Sequence, residues 1–165
     1  MNEPSSAGRP TRVLFVCLGN ICRSPLGEAM FRHHAELAGL QVRYEADSAG
    51  TAAYHIGEPP DERSVDTARR RGIHYSGRAR KLERDDFYRF DHIVAMDRSN
   101  LEDIQARRPA DATAEVHLLR AFDPEPDGED VPDPYYGGPD GFDDVHDIVD
   151  RATRALLRHL EDGSS

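Results

Sequence analysis

Apolar residues in this chain fall into short, regularly spaced blocks separated by polar helical stretches. The first block, Arg12-Val-Leu-Phe-Val16, has no polar break and is rich in β-branched and aromatic residues. Such a run fits a central strand buried on both faces. Ser24-Pro25 then opens a helix, with Ser as N-cap and Pro at the first helical position, and Gly39 stops it. Gln41–Ser48 reads as a second strand and Ala49–Pro59 as a glycine-bearing loop. Pro60-Asp61-Glu62 starts a helix whose arginine-rich end stops at Gly72, matching the helix dipole. A short helix is expected near Glu83–Arg89, and Asp91–Met96 is a third strand. Asp97 can cap a helix over Arg98–Arg108, and Glu115–Leu119 is a fourth strand. Ala121–Gly141 is rich in Pro, Gly and Asp and reads as a long loop. Asp143–Leu160 closes the chain as an amphipathic helix with Val145, Ile148, Val149, Ala152, Leu156 and Leu160 near one face.

Strands alternating with helices predict one α/β domain of three layers. Its core is a four-stranded, twisted parallel sheet with helices on both faces and right-handed crossovers. Residues 1–11, small and polar, read as a disordered leader, 12–162 as the domain and 163–165 as a disordered tail. In such folds a ligand binds beyond the carboxyl ends of the strands, at the topological switch point. The loop after the first strand is therefore the place to look for chemistry.

Composition narrows the classes. The 165 residues are enough for one domain with a real core. The net charge of −10 argues against general affinity for nucleic acid or anionic membranes. No apolar run approaches the roughly 18 residues of a membrane span, and the N-terminus lacks a signal-peptide core. Two cysteines, Cys17 and Cys22, are too few for a disulfide scaffold. A cytoplasmic location is expected. Asp123-x-Glu125-x-Asp127-Gly128 opens like a calcium loop, but Pro134 stands where the bidentate Glu is needed. The scattered histidines lack zinc spacing, there is no GxGxxG or Walker sequence, and no metal or cofactor is expected.

The loop reads Cys17-Leu18-Gly19-Asn20-Ile21-Cys22-Arg23-Ser24-Pro25. A strand–loop–helix junction aims backbone N–H groups at one point, and the helix dipole adds partial positive charge. Gly19 allows positive φ and Asn20 tolerates it, as an anion nest requires. Arg23 can hold two phosphate oxygens side by side. The same field favours a thiolate at Cys17, with the Ser24 hydroxyl as a further donor. An anionic nucleophile in a cradle for a tetrahedral anion points to phosphoryl transfer through a phosphocysteine.

Val16 through Pro25 resemble the motif of the low-molecular-weight protein tyrosine phosphatases, Val-Cys-x-Gly-Asn-x-Cys-Arg-Ser-Pro. Asp47-Ser-Ala-Gly50, Ala95-Met-Asp97 and Asp133-Pro-Tyr-Tyr136 with Gly137 are similar to further family signatures, and the resemblance runs from Arg12 to about Leu160. It implies Cys17 as nucleophile, Arg23 as phosphate ligand and Asp133 as general acid toward the tyrosine oxygen. The rigidity that Pro134 gives the loop suits a side chain reaching over a cleft. Leu18, Ile21, Tyr54, Tyr135 and Tyr136 are the expected aromatic and apolar walls of a phenyl pocket. Gly19, Asn20, Cys22 and Ser24 complete the expected substrate-binding loop. Ile21 matches the tyrosine-directed members, whereas relatives acting on phosphoarginine tend to carry threonine there.

The resemblance also implies a protective Cys17–Cys22 disulfide under oxidation and a brace between Asn20 and Ser48. Gly77 stands where many members place a histidine of that network. The implied partners are phosphotyrosine proteins in signalling, met by a monomer or weak homodimer. Two other functions remain open: arsenate reduction on the same fold, and non-catalytic binding of an oxyanion or phosphopeptide.

Overall fold

Strand β1 (Thr11–Cys17) lies at the centre of the sheet because Val13, Leu14, Phe15 and Val16 have helices to meet on both faces. The computed structural model describes residues 9–125, 128–134 and 140–163. β1 pairs in parallel with β2 (Tyr44–Gly50) on one side and β3 (His92–Ala95) on the other, and β3 pairs in parallel with β4 (Glu115–Leu118). The order is β2-β1-β3-β4, the expected four-stranded parallel sheet. The chain winds outward from β1 to β2 and then returns across β1 to β3, so the switch point lies between the carboxyl ends of β1 and β3.

Helix α1 (Arg23–Leu37) connects β1 to β2, and α2 (Glu62–Arg70) with the short α3 (Asp86–Arg89) precedes β3. α4 (Arg98–Arg107) joins β3 to β4, and after a 3-10 turn over Leu119–Phe122 the chain ends in α5 (Asp140–Gly163). One apolar layer joins Val13, Phe15 and Val94 to Leu26 and Met30 of α1, Ala68 of α2 and Val149 and Leu156 of α5. The other joins Leu14, Val16 and Ile93 to Phe87 and Ile104. All six apolar positions expected to line the last helix are buried. None of the described helices is long and apolar enough to cross a membrane.

Several boundaries move for identifiable reasons. Thr11 already pairs with Tyr44, so β1 starts one residue before the expected strand. β2 begins later and ends later than Gln41–Ser48, because register with β1 carries it on until Gly50 faces Cys17. Gly163 is the last residue of α5. Ser24 is not the N-cap of α1. Cys22 holds that place without a side-chain cap, and Ser24 sits in the first turn, its hydroxyl taken up by the loop. Pro25 is still tolerated, since the first-turn N–H groups need no helical acceptor. The expected cap at Asp97 is in place, as a reciprocal capping box with Asn100, and the helix begun at Pro60-Asp61-Glu62 is capped by Asp61, which accepts from Arg63 N.

Candidate active site

The loop between β1 and α1 folds around the Cys17 sulfur. Asn20 N donates to Sγ at 3.2 Å, and Ser24 Oγ lies 3.0 Å from it. Asn20 takes positive φ (58°), which turns its N–H inward, and its side chain is buried. Gly19 does not take the positive φ expected of it. A Cβ there would lie 2.9 Å from the His55 ring, so any larger residue would have to push that side chain aside. Ser24 Oγ donates to Asn20 Oδ1 at 2.8 Å, so one hydroxyl ties the Cys17 sulfur to the residue that turns the loop.

The end of β2 and the two residues that follow it support the loop from beneath. Thr51 N donates to Cys17 O at 2.9 Å and Ala52 N to Leu18 O at 3.0 Å. Asn20 Nδ2 lies 3.5 Å from both Ser48 O and Arg80 O. Ser48 therefore meets Asn20 through its carbonyl, while its hydroxyl donates to Glu28 Oε1 at 2.8 Å. Gly77 stays outside this brace. It has φ +140° and nothing within 4 Å of where a Cβ would stand.

Arg23 is almost fully buried at the start of α1. Nη1 bonds Asp97 Oδ2 at 2.7 Å and Val131 O at 3.1 Å, and Nη2 lies 3.6 Å from Asp133 Oδ2. Burial works against the cation, but the neighbouring Cys17, Asp97 and Asp133 outweigh it and raise the guanidinium's pKa. Val131 N donates to Met96 O at 2.8 Å. That bond anchors the segment leading to Asp133 onto the chain leaving β3, and so brings residues more than a hundred positions apart in sequence over one site.

The resulting cleft has a volume of about 50 Å³ and is lined by Cys17, Arg23 and Asp133 with Leu18, Ile21 and Tyr54. Gly19, Cys22 and His55 complete its wall. Of the expected wall residues, Ile21 is buried on a small cluster with Cys22, Ala79 and Phe142, whereas Leu18 and Tyr54 stand exposed at the rim. Tyr135 and Tyr136 lie outside the described residues. Cys17 and Cys22 are both free thiols. Burial first, then Asp61, Cys17 and Asp133, push the Cys22 thiol well above its ordinary range against the pull of Arg23, so it is a protonated neighbour.

Three contributors escape a reading of the sequence. Asp97 was legible as a helix cap, yet its second oxygen holds Arg23. His55 lies in a loop of no evident pattern and reaches the cleft only because the chain after β2 folds back over Gly19. Val131 acts through its backbone, which leaves no signature in residue type.

The arrangement can take up a tetrahedral anion between amides and a guanidinium, attack it with sulfur and protonate what leaves. Residues 12–165 match the family model described as low molecular weight phosphotyrosine protein phosphatase. The chain is similar to a low molecular weight phosphotyrosine protein phosphatase of Schizosaccharomyces pombe, 48 % identical over 136 residues that cover 82 % of this chain and 87 % of that protein. It is similar to a low molecular weight protein-tyrosine-phosphatase of Streptomyces coelicolor, 45 % identical over 149 residues, 88 % of this chain and 91 % of the other. Among solved structures, a protein tyrosine phosphatase from Entamoeba histolytica with Hepes in its active site superposes with a TM-score of 0.90 at 38 % identity, covering 94 % of this chain and 99 % of that one.

Proposed function

The chain belongs to the low molecular weight phosphotyrosine protein phosphatase family, and from that premise we propose that it hydrolyses phosphotyrosine in proteins through a phosphocysteine at Cys17. The observation that carries the mechanism is the convergence of Cys17, Arg23 and Asp133 on one small cleft. The Cys17 thiolate attacks phosphorus as the bond to the phenolic oxygen breaks. Arg23 and the loop amides hold the three non-bridging oxygens, matching the charge they carry in the transition state. Asp133 acts as the general acid and gives a proton to the departing phenolate, whose pKa of about 10 makes it a poor leaving group unaided. Asp133, now a carboxylate, then takes a proton from water as that water attacks phosphorus. The P–S bond breaks, inorganic phosphate forms and the thiolate is restored.

The loop residues 18–22 and Ser24 shape the phosphate nest, and Leu18, Ile21 and Tyr54, with Tyr135 and Tyr136, are assigned to the phenyl ring. The phosphatase is assigned to residues 12–162, in a cytoplasmic monomer or weak homodimer acting in signalling; the family match shares its start at residue 12 and runs on to residue 165. Both cysteines of the chain lie in the nest itself, which favours this reading over arsenate reduction with its need for further thiols.

The test is turnover of an aryl phosphate and of phosphotyrosine, phosphoserine and phosphoarginine peptides, with a chelator present. Cys17→Ser should abolish turnover. Asp133→Ala should lower kcat by about 10²–10⁴-fold, most for phenols of high pKa. Phosphotyrosine should be strongly preferred. Undiminished hydrolysis by Cys17→Ser defeats the mechanism, and equal phosphoserine turnover defeats the pocket assignment.

A further inference from the structure

At the start of β3, about 10 Å by the strand's rise from its other end at Ala95, three side chains with metal-ligand atoms converge. In the β3–β4 register His92 stands opposite Glu115, and Val94 opposite His117. Residues two apart on a strand share a face, so His92, Glu115 and His117 project together. His92 Nδ1 lies 3.1 Å from His117 Nε2, and Glu115 Oε1 lies 3.9 Å from His117 Nε2. All three ligand atoms fall within 4.8 Å of one another. The two imidazole planes are stacked at 29° and the rings are half-buried, and Phe122 packs edge-on against His117.

We propose that His92, Glu115 and His117 form a binding site for a borderline divalent transition-metal ion of the zinc class, separate from the phosphate nest. Bonds of about 2.0–2.1 Å to two nitrogens 3.1 Å apart subtend close to 100°, near the tetrahedral angle. Two imidazoles in such contact cannot both donate, so at least one lone pair already points at the other ring. Glu115 is largely exposed, and a rotation of its side chain closes the remaining distance. Water would fill the fourth position from the open side. Imidazole with carboxylate suits zinc, nickel or copper and disfavours magnesium and calcium, which prefer oxygen. The ion would clamp β4, the edge strand, to β3, and so act on stability rather than turnover.

The experiment uses the full chain carrying Cys17→Ser and Cys22→Ser, since thiols bind zinc themselves. Zinc is titrated in competition with a chromogenic chelator. One ion per chain at micromolar affinity or tighter is expected, lost in a further His92→Gln/His117→Gln variant. Glu115→Gln, which alters only an exposed side chain, should weaken binding about tenfold. Cobalt in the same protein should give the visible spectrum of tetrahedral nitrogen–oxygen ligation. No bound zinc, or zinc held equally well after His92→Gln/His117→Gln, overturns the proposal and leaves the two rings as a hydrogen-bonded pair.

Discussion

Replacing Gly50 with alanine tests how rigidly β2 sets the phosphate nest. Gly50 ends β2 directly opposite Cys17. A Cβ there would lie 2.7 Å from Leu18 O, 3.1 Å from Gly19 C and 3.2 Å from Asn20 N. All three neighbours are backbone, so no side-chain rotation relieves the overlap. Gly50 cannot retreat either, since its N–H bonds Arg80 O at 2.9 Å and its carbonyl accepts from Leu82 N at 2.8 Å. The nearest contact is about 0.7 Å inside the 3.4 Å at which ordinary contact begins, so the loop must move by a comparable amount. Overpacking of this kind costs about 1–3 kcal/mol. A displacement approaching 1 Å in the group that aims an amide at the nucleophile should lower kcat about a hundredfold. The assay is kcat and KM on an aryl phosphate, beside a denaturant melt. Gly39→Ala is the control: its φ of +73° imposes strain of about 1–2 kcal/mol, with open space around it and no contact with the nest. A Gly50→Ala protein that loses stability like Gly39→Ala but keeps its kcat would refute the claim that β2 holds the loop in position.

The two roles of Asp97 separate by substitution. Asp97→Asn keeps a good N-cap but removes the charge facing Arg23, and should cost about 3 kcal/mol in a urea melt; Asp97→Ala, which also loses the cap, should cost about 1 kcal/mol more. Equal losses would mean the cap contributes nothing. Burial lowers the pKa of His34, joined by Arg154 and His33 and opposed by Asp150; burial and Arg71 lower that of His146 against Asp150, Asp147 and Asp143. A lowered folded pKa means the unfolded chain binds these protons first. Stability should therefore fall as pH drops below about 6.5, toward the folded-state values, and His34→Gln/His146→Gln should flatten that slope in melts at stepped pH. A slope unchanged by the double substitution would show that other groups set it.

Within the nest, what the sequence displays is chemistry tied to a local stretch. Cys17, Arg23 and Ser24 lie within eight residues, so one strand–loop–helix junction brings them together whatever the remainder of the chain does. The burial of β1 was legible for the same local reason: an apolar run with no polar break needs cover on both faces. The boundaries of β2 were not legible, because a strand's limits depend on its partner's register, which adjacent residues do not encode. Ser24 was misread as a cap because cap preference is local, and the loop's demand for its hydroxyl is not.

Residue types along the chain thus determined the α/β alternation and the strand–loop–helix junction that gathers Cys17, Arg23 and Ser24, while the role proposed for Asp133 came through the family resemblance. Only the folded chain decided that Asp97 serves both a helix and Arg23, that Val131's backbone lays Asp133 across the cleft, and that His55 stands over Gly19. It also placed His92 against His117, which no spacing rule links. These pairings join segments that meet only when the sheet closes, and a residue's type does not state which distant neighbour will stand beside it.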